Sequence, residues 1–518
     1  MEEKETKAQR VERLKKEKDG LDVIEDIRAL AKSGEHAPAD TVDRLKWYGM
    51  YTHNELASPD NNQYFMIRSK VPNGKLSTQQ LDVMASISND FAKGSADATV
   101  RQTIQFHWLE MKNIPAMLER LESVGLTAQN ASGDCPRSIV GCPLQGITHD
   151  EYVDVTEVRN QVNAFFQGNY DFSNLPRKYK IGISACKKHC MGHEIQDLAF
   201  TAFETEGKVR FDVTIGGGLG SNKRVGSRLG SVALEQIFHV CVAVGKLFRD
   251  HGNRDNRRKA RVGHLVEDWG VEKIRSFLEE TQGFAFEKTD EPHFTPYKDR
   301  EHFGVQRSNQ EGYVHLGCAT MSGRLQGKSL EKLSLTCKQN GAEGIILTTG
   351  QNFIITNIPL AALDKIKKDV EAAGFAWNPS PFRARSLACT GLEYCKFAVS
   401  ETKDKETELV EYLEKRFPDF NEPIAISLSG CPNACSHPHI VDLGFIGCKM
   451  KEDGETTTGF TLVTGGHIEG ESKSRFAQKT SIKVSSAKLC EFVGSLIESY
   501  QNDPAYNSFK AYIQTKEL

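Results

Sequence analysis

The sequence predicts an α+β protein made of two copies of a two-part unit, in the order A–B–A′–B′, because two separate repeats occur along it. One repeat pairs Ile181–Phe200 with Ile426–Phe445 without gaps, and eight of the twenty positions are identical, including both cysteines of a C-x3-C pattern. The other pairs the stretches that begin at Tyr64 and Tyr313, each followed thirty-seven residues later by a related sequence, RQTIQF or GQNFII. A duplicated chain of this kind implies a molecule with pseudo-twofold symmetry.

The first part of each copy, the A unit, is predicted to alternate strands with helices. Thr99–Trp108 has the character of a strand, and amphipathic patterns over Ile114–Gly125 and Ile358–Gly374 predict the helix that follows in each copy. Strands and helices in this order suit a small α+β layer.

The second part of each copy, the B unit, contains an apolar run that leads into a cysteine loop. These runs are Tyr179–Ser184 and Ile424–Ser429, and their β-branched and aromatic residues predict strands. The loop that follows carries the C-x3-C pattern in both copies. The chemistry of the protein is therefore expected at the ends of these two strands.

Four cysteines of the second half, Cys389, Cys395, Cys431 and Cys435, form the pattern C-x5-C followed by C-x3-C. Soft thiolate ligands select iron–sulfur chemistry over hard cations, and four of them are what a [4Fe–4S] cluster requires. The spacing differs from the common ferredoxin patterns and from the C-x2-C of zinc sites. It resembles that of the sirohaem-containing sulfite and nitrite reductases, in which the last cysteine also bridges the cluster to the sirohaem iron.

The resemblance covers nearly the whole chain, from the DRLKWYGMY segment near residue 43 to the C-terminal helix. It is strongest to the ferredoxin-dependent assimilatory enzymes of this family. It implies a sirohaem, one [4Fe–4S] cluster and the six-electron reduction of sulfite to sulfide or of nitrite to ammonia, with electrons from reduced ferredoxin. It also implies the duplicated, pseudo-twofold architecture of that family.

This architecture divides the chain into six parts. They are an N-terminal helical leader (1–55), a first ferredoxin-like half-domain (56–128), a first sirohaem and substrate domain (129–289), a polar linker (290–310), a second ferredoxin-like half-domain (311–376) and a [4Fe–4S] and sirohaem domain (377–518).

Four basic residues of the first half are candidates for an anion-binding site: Arg101, Arg137, Lys178 and Lys180. The two lysines are two positions apart on a predicted strand, so their side chains point the same way. Cations of this kind bind a small oxyanion and help to deliver protons as its oxygens leave as water. For any single residue a solvated surface cation is the alternative, but these segments resemble the anion-binding positions of the family residue by residue.

Sirohaem carries many carboxylates, so its cavity must also be basic. In the densest cationic stretch, RDNRRKAR, the resemblance makes Lys259 and Arg261 candidate partners of these carboxylates, with plain surface charge as the alternative. Gln105 and Gln351 are expected on the corresponding strands of the two copies and are candidates for hydrogen bonds to the macrocycle. The glycine-rich segment Ile215–Gly220 lacks the context of a dinucleotide site, so direct use of NADPH is not expected.

One position bears on the choice between sulfite and nitrite. Sulfite-type enzymes commonly have K-x-K after L-P-R, whereas plant-type nitrite enzymes tend to have Asn in the second place, and this chain has Lys178 and Lys180. A further cation suits doubly charged sulfite better than singly charged nitrite. We therefore expect a ferredoxin-dependent sulfite reductase. Nitrite reduction is the alternative, which the resemblance of the leader to nitrite reductases supports.

The first half also contains Cys135, Cys142, Cys186 and Cys190, in a C-x6-C and C-x3-C pattern that resembles the cluster motif. One hypothesis is a second iron–sulfur centre on these four cysteines. A Cys/His metal site that uses the nearby His189 or His193 is another. Free thiols left from duplication are the interpretation that the sequence favours.

Composition narrows the class of protein. The 518 residues are 39% hydrophobic and 26% charged with a formal net charge of −3, which argues against a general nucleic-acid binder. No run of eighteen apolar residues is present, so no membrane span is expected. Thirteen cysteines and a charged N-terminus without an apolar segment indicate a reducing, cytoplasmic location. A monomer is expected, because the duplication supplies within one chain what some proteins obtain as dimers.

Two other classes of protein fit the sequence less well. A dissimilatory or electron-transfer subunit of a larger complex would be expected to bring an inserted ferredoxin domain with two cysteine-rich runs, which this sequence lacks. A non-catalytic iron–sulfur electron-transfer subunit would not need the four cations of the first half. The sequence therefore favours an enzyme.

Overall fold

The computed structural model describes residues 5–54, 58, 60–188, 190–220, 222–294 and 302–515. Within these ranges the chain forms four β-sheets, one for each A and each B unit, with helices packed against them. None of the helices in these ranges is both long enough and apolar enough to cross a membrane.

The strands are, in chain order, β1 (Met50–Thr52), β2 (Tyr64–Arg68), β3 (Lys75–Ser77), β4 (Asp97–Ala98), β5 (Ile104–Glu110), β6 (Ile181–Ser184), β7 (Leu198–Thr205), β8 (Lys208–Ile215), β9 (Ser227–Val232), β10 (Gly304–Arg307), β11 (Tyr313–Cys318), β12 (Gly344–Leu347), β13 (Phe353–Pro359), β14 (Ser386–Ala388), β15 (Ile426–Ser429), β16 (Leu443–Glu452), β17 (Glu455–Thr464) and β18 (Gln478–Ser485). The helices are α1 (Lys7–Glu17), α2 (Val23–Ser33), α3 (Ala39–Arg44), α4 (Thr78–Phe91), α5 (Ile114–Glu122), α6 (Thr156–Phe166), α7 (Ile237–His251), α8 (Val262–Trp269), α9 (Val271–Gln282), α10 (Gly327–Asn340), α11 (Leu363–Ala372), α12 (Pro381–Ala384), α13 (Lys403–Arg416), α14 (Leu489–Gln501) and α15 (Phe509–Thr515).

The leader consists of α1, α2 and α3. Helix α1 begins after Thr6, whose side chain accepts a hydrogen bond from the Gln9 N–H while the Gln9 side chain accepts one from the Thr6 N–H. Helix α2 buries Val23 and Ile27 in the core of the A units. The leader is thus packed onto the body of the protein.

The two A units exchange edge segments. The first sheet has the order β1-β2-β5-β4, and the second has the order β10-β11-β13-β12-β3, so that β3 of the first copy ends up in the sheet of the second. In return Arg324 of the second copy forms a bridge with Asp97 on β4 of the first. Helices α4 and α10 pack together above one hydrophobic core that both copies share. The A units therefore form one interlocked layer.

Each B unit is a mixed sheet with its own core. The strand orders are β6-β7-β8-β9 and β14-β15-β16-β17-β18. In the first sheet β6 and β7, which flank the cysteine loop, are parallel. In the second sheet β15 and β16, which flank the other cysteine loop, are parallel to each other and to β14. The cysteine loops connect β6 to β7 and β15 to β16. Because both loops leave the same end of their strands, the two repeats present their cysteines at equivalent places.

Several element boundaries differ from the sequence-based expectation. Strands β6 and β15 begin at Ile181 and Ile426, two residues later than the apolar runs that predict them. Within Thr99–Trp108 the strand β5 begins only at Ile104, because Thr99 and Thr103 close a turn in which Gln102 has a φ of 54°. Within Ile358–Gly374 the first two residues still belong to β13, so the helix starts at residue 363. In the linker, residues 304–307 form the edge strand β10, and residues 295–301 lie outside the described ranges.

Candidate functional site

The four cysteines of the second half are brought together by two short loops. Cys389 follows β14 directly and Cys395 lies in the loop after it, while Cys431 and Cys435 lie in the loop between β15 and β16. All four line one cavity of about 650 Å³.

Backbone and amide groups set the position of the first of these cysteines. The side chain of Gln351 donates to the carbonyl of Ala388 at 3.0 Å and accepts from its N–H at 3.2 Å. The N–H of Gly430 donates to Cys389 Sγ at 3.1 Å. Donors aimed at sulfur stabilise a thiolate ligand.

The protonation of these thiols depends on what binds them. Burial, with the neighbouring Cys435, raises the pKa of Cys389 to about 12, and burial also raises the pKa of Cys395 and of Cys431. Iron must therefore displace protons to bind here. Cys435 is the exposed member and faces the cavity.

The spacing of the sulfur atoms suits a cluster. Among these four described cysteines, no three have sulfur atoms within 4.8 Å of one another. Ligands of a single tetrahedral ion lie about 3.8 Å apart, given a metal–sulfur bond of about 2.3 Å. In a [4Fe–4S] cluster each thiolate binds a different iron, so the sulfurs must be further apart. Four thiols that line one cavity, without the close grouping of ligands to a single ion, fit the donor set of a [4Fe–4S] cluster.

Cations of the first half lie at the same cavity. Arg137 and Lys178 line it, and Arg101 and Lys180 lie close enough to them to interact electrostatically. Arg137 is held by the carbonyls of Ala131 at 3.3 Å and Gly133 at 2.8 Å. The structure thus brings the four cations expected from the sequence into one group.

The side chain of Arg101 is held against the first B unit. It donates to Gln196 Oε1 at 3.0 Å and to the carbonyl of Ser138. Its Nε is buried and has no hydrogen-bond partner in the described part of the chain, and the same is true of Arg137 Nε.

Burial and mutual repulsion change the acidity of this group. Burial, followed by the charges of Lys180, Arg261 and Arg137, lowers the pKa of Lys178 well below its usual value. Burial, followed by the charges of Arg101 and Arg261, lowers the pKa of Lys180 to about 7. Cations crowded in this way are stabilised by an anion placed between them. Lysines with lowered pKa values can also donate protons near neutral pH.

Further cations surround the cavity. Its lining includes Arg68, Arg177, Arg257, Arg258 and Arg261. Such a set fits a tetrapyrrole with many carboxylates, and Arg68 Nε is another buried donor without a partner among the described residues. The donor sets on both sides of the cavity thus fit the two cofactors that the resemblance implies.

One buried carboxylate organises several of these cations. Asp134 pairs with Lys15 of α1 at 3.0 Å, with Arg257 at 2.8 Å and with Arg177 at 3.3 Å. Burial alone would raise the pKa of Asp134, but the charges of Lys15, Arg257 and Arg177 hold it well below its usual range. The leader is thereby tied to the wall of the cavity.

The candidate sirohaem contacts are placed differently from one another. Arg261 lines the cavity and donates three hydrogen bonds to Asp197, whereas Lys259 is exposed and lies outside the lining. Gln105 is buried and bonds to Arg68 at 3.3 Å and Thr390 at 3.0 Å. The side-chain amide of Gln351 bonds to backbone groups instead.

The glycine-rich segment lies at the cavity as well. Residues 216–220 line it. A Cβ on Gly217 would lie 2.2 Å from the carbonyl oxygen of Glu194, so only glycine allows the two segments to approach this closely.

Sequence reasoning missed several functional candidates of this site. Arg68, Asp134, Arg177 and Arg257 were not singled out, although Arg177 belongs to the LPRKYK segment and Arg257 to the RDNRRKAR stretch. For Arg68 and Asp134 the sequence carries no such signal, because only packing places them at the cavity.

The remaining first-half cysteines do not form the four-cysteine set that was considered. Cys135 is buried against Leu21 and Trp47, and its Sγ donates to the Ser132 carbonyl at 2.9 Å. Cys142, Cys186 and Cys190 instead meet His302, with the four ligand atoms within 4.8 Å of one another.

Of the two histidines proposed for a local metal site, only His193 can be placed, and it is not part of this group. His189 lies outside the described residues. His193 is buried beside Glu194, with Nδ1 3.1 Å from the carboxylate. Sequence reasoning missed His302, whose only sequence signal is a histidine in a polar linker.

Comparison with known proteins agrees with this arrangement. The family model described as "Nitrite and sulphite reductase 4Fe-4S domain" matches residues 132–286 and 383–516, and the one described as "Nitrite/Sulfite reductase ferredoxin-like half domain" matches residues 57–124 and 306–373. The sulfite reductase [ferredoxin] of Mycobacterium tuberculosis is 36% identical over 513 residues, covering 94% of this chain and 91% of its own length.

Two further relatives extend the comparison. The ferredoxin–nitrite reductase of Synechococcus elongatus is 33% identical over 473 residues, covering 89% of this chain and 91% of its own length. The solved structure of Mycobacterium tuberculosis NirA superposes with a TM-score of 0.91 at 34% identity, covering 98% of this chain and 96% of that one. The chain belongs to the nitrite and sulphite reductase family, and its cofactors are sirohaem and one [4Fe–4S] cluster.

Proposed function

With membership of this family as the premise, we propose that the protein catalyses the six-electron reduction of sulfite to sulfide, with reduced ferredoxin as the electron donor. The observation that carries this proposal is the single cavity lined both by four cysteines and by the cations Arg137, Lys178 and Arg261. A cluster ligand set and an anion site that share one cavity allow electrons and substrate to meet.

The cavity wall carries groups that suit both cofactors. Cys389, Cys395, Cys431 and Cys435 would hold the cluster, and Arg68, Arg257, Arg258 and Arg261 would pair with the carboxylates of sirohaem. When bound, the two cofactors supply the multi-electron chemistry that side chains cannot.

The substrate is held by Arg101, Arg137, Lys178 and Lys180. Their charges bind the oxyanion in a position where water is partly excluded, which strengthens the attraction. Each oxygen that leaves the substrate departs as water and requires protons. Lys178 and Lys180, whose pKa values are lowered, are the groups suited to pass those protons on.

Nitrite is the second candidate substrate. Two observations favour it: relatives such as the Synechococcus elongatus protein are named ferredoxin–nitrite reductases, and the pKa of Lys180 is lowered to about 7, so that one cation of the site is partly neutral at neutral pH. A site with less charge discriminates less strongly in favour of the dianion.

The electron donor, the cellular compartment and the oligomeric state are part of this proposal. The names of the relatives support ferredoxin, and the exposed Phe397 with Lys396 lies directly beside Cys395, where a donor can approach the cluster. Thirteen cysteines, none of them in a disulfide, suit a reducing compartment such as the cytoplasm. A monomer remains our prediction for the assembly.

The deciding experiment is steady-state kcat/KM for sulfite and for nitrite, measured on holoenzyme with reduced ferredoxin and then with reduced viologen. We expect at least a several-fold preference for sulfite with both donors. A clear preference for nitrite would assign the second candidate. Loss of both activities, in protein whose sirohaem spectrum is intact, would contradict the proposed function.

A further inference from the structure

We propose that Cys142, Cys186, Cys190 and His302 bind one zinc ion, at a structural site separate from the [4Fe–4S] cluster. All four ligand atoms lie within 4.8 Å of one another, and Cys142 Sγ lies 3.7 Å from His302 Nε2. A tetrahedral zinc ion with bonds of about 2.3 Å to sulfur and about 2.0 Å to nitrogen requires ligand atoms about 3.6–3.8 Å apart. The group therefore has the size of a single ion.

The ligand set is closed in the way a structural site requires. Three thiolates and one imidazole complete a tetrahedron and leave no position for substrate or water. Cys142, Cys186 and His302 are buried, and the apolar residues Leu144 and Ile354 pack around the sulfurs. Such surroundings keep water away from the metal–ligand bonds.

Backbone donors point at two of the sulfurs. The N–H of Leu144 donates to Cys142 Sγ at 3.4 Å, and the N–H of Lys188 donates to Cys186 Sγ at 3.4 Å. In both cases the donor is two residues after the cysteine. Donors to the ligand sulfurs stabilise the thiolate form that binds a metal.

A buried arginine balances the charge of the site. Three thiolates and a divalent ion leave a net charge of −1, and the fully buried Arg159 lies close enough to Cys142 and Cys190 to interact with their charges. Its Nε has no hydrogen-bond partner among the described residues. A buried guanidinium needs a counter-charge, and the occupied site supplies one.

The fourth ligand is delivered by the segment between the two halves. His302 lies just before β10, and a Cβ on Gly317 of β11 would lie 1.6 Å from the His302 carbonyl oxygen, so this close approach depends on glycine. His302 is 160 residues from Cys142 along the chain. The ion would therefore fasten the segment that leads into the second half to the cysteine loop of the first.

The cysteines of the proposed zinc site correspond in position to cluster cysteines of the second repeat. Gln102 bonds to the Gly141 N–H at 3.0 Å, one residue before Cys142, just as Gln351 bonds to the Ala388 N–H, one residue before Cys389. Both glutamines have positive φ, 54° and 61°. The zinc ligands thus occupy the place in the first repeat that the cluster ligands occupy in the second.

The test is elemental analysis of the purified holoenzyme with X-ray absorption at the zinc edge, which iron does not obscure. We expect one zinc and about five irons per chain, with about three sulfur neighbours at about 2.3 Å and one nitrogen at about 2.0 Å from the zinc. A content of about five irons and no zinc would indicate that Cys142, Cys186 and Cys190 are free thiols. About six irons would indicate a mononuclear iron site and about nine a second cluster, and each of these results would overturn the proposal.

Variants locate the ion. Cys186→Ala and His302→Ala should each lower the zinc content by at least about tenfold, whereas His302→Cys should retain it. Cys241→Ala is the matched control, since Cys241 is a buried cysteine on α7 outside the site. Zinc retained in both alanine variants would refute the ligand assignment.

The wild-type measurement does not depend on how the variants fold. It is also independent of reductase activity. Zinc present without sulfite or nitrite turnover would count against the proposed function alone, and turnover without zinc would count against this site alone.

Discussion

The loops Cys186–Cys190 and Cys431–Cys435 stand at equivalent places in the two repeats, yet they hold their sulfur atoms at different spacings. In the first half three sulfurs and a ring nitrogen of His302 converge within 4.8 Å, whereas no three sulfurs among Cys389, Cys395, Cys431 and Cys435 come so close. Both loops connect parallel strands and carry the same C-x3-C pattern. A shared motif therefore does not specify which metal it binds.

The difference arises from the fourth ligand and its surroundings. In the second half Cys395 lies at the wall of a cavity of about 650 Å³, which leaves room for a cluster and a macrocycle. In the first half His302 arrives from a distant segment, and the adjoining cavity is only about 50 Å³. A small enclosed site accepts one ion, and a wide open site accepts a cluster.

The two halves also divide the charges between them. The first supplies Arg137 and Lys178 to the cavity wall, with Arg101 and Lys180 close to them, while the second supplies the cysteines. Each half thus provides what the other lacks, and a working site requires both.

The largest contrast should come from removing one cysteine from each loop. We expect Cys431→Ala to lower the iron content from about five to about one per chain and to reduce turnover by at least about a thousandfold, because three thiolates cannot hold the cluster. Cys186→Ala, its counterpart, should keep its iron and its haem spectrum. Iron analysis and sulfite turnover of the two variants would check this, and a loss of iron in both would remove the distinction.

A smaller effect is expected from the cations of the first half. Lys178→Ala should lower kcat/KM for sulfite by about 10²–10³-fold without changing the haem spectrum, because one charge that faces the substrate is lost. Lys259→Ala is the matched control, since this lysine is exposed and outside the cavity, and it should change kcat/KM by less than about twofold. Equal effects of the two substitutions would show that Lys178 has no special role.

The choice of substrate should respond to one of these cations. Lys180→Asn removes a charge that attracts a dianion more than a monoanion, so the ratio of kcat/KM for sulfite to that for nitrite should fall by about tenfold. Parallel steady-state assays with both anions measure this ratio. An unchanged ratio would mean that Lys180 does not discriminate between them.

The last expected effect concerns pH. Lys180 binds an anion only when protonated, and its pKa in the free site is lowered to about 7 by burial and by the charges of Arg101 and Arg261, against the opposing charge of Asp197. Below pH 7 the affinity should therefore be constant. Above pH 7 a proton must be taken up on binding, and the affinity should fall by up to about tenfold per pH unit.

Nitrite is the suitable probe for this effect, because it stays a monoanion over the range from pH 6 to 9. Its dissociation constant should be followed spectroscopically on oxidised holoenzyme without a donor. The slope above pH 7 should be shallower in Lys180→Asn. Identical slopes in the two proteins would assign the pH dependence to another group.

Repetition and cysteine spacing were enough to predict the duplicated α+β architecture and the family. The twenty-residue repeat predicts the architecture, and the pattern of Cys389, Cys395, Cys431 and Cys435 predicts the family. Helix α11 shows the limit of local patterns, since the amphipathic run from Ile358 extends into β13 and the helix begins only at Leu363. Pairing with β11 and β12 decided that boundary.

Residues that are distant in the chain could be brought together only by the tertiary structure. Asp134 forms ion pairs with Lys15, Arg177 and Arg257, which lie in three separate segments. His302 contacts Cys142, which is 160 residues away in the sequence. No local propensity encodes such a meeting, because it depends on the packing of whole sheets against one another. The sequence by itself therefore determined the repeat, the cluster motif and the kind of chemistry. The folded chain decided which charges surround the cavity and which ligand completes the second group of cysteines.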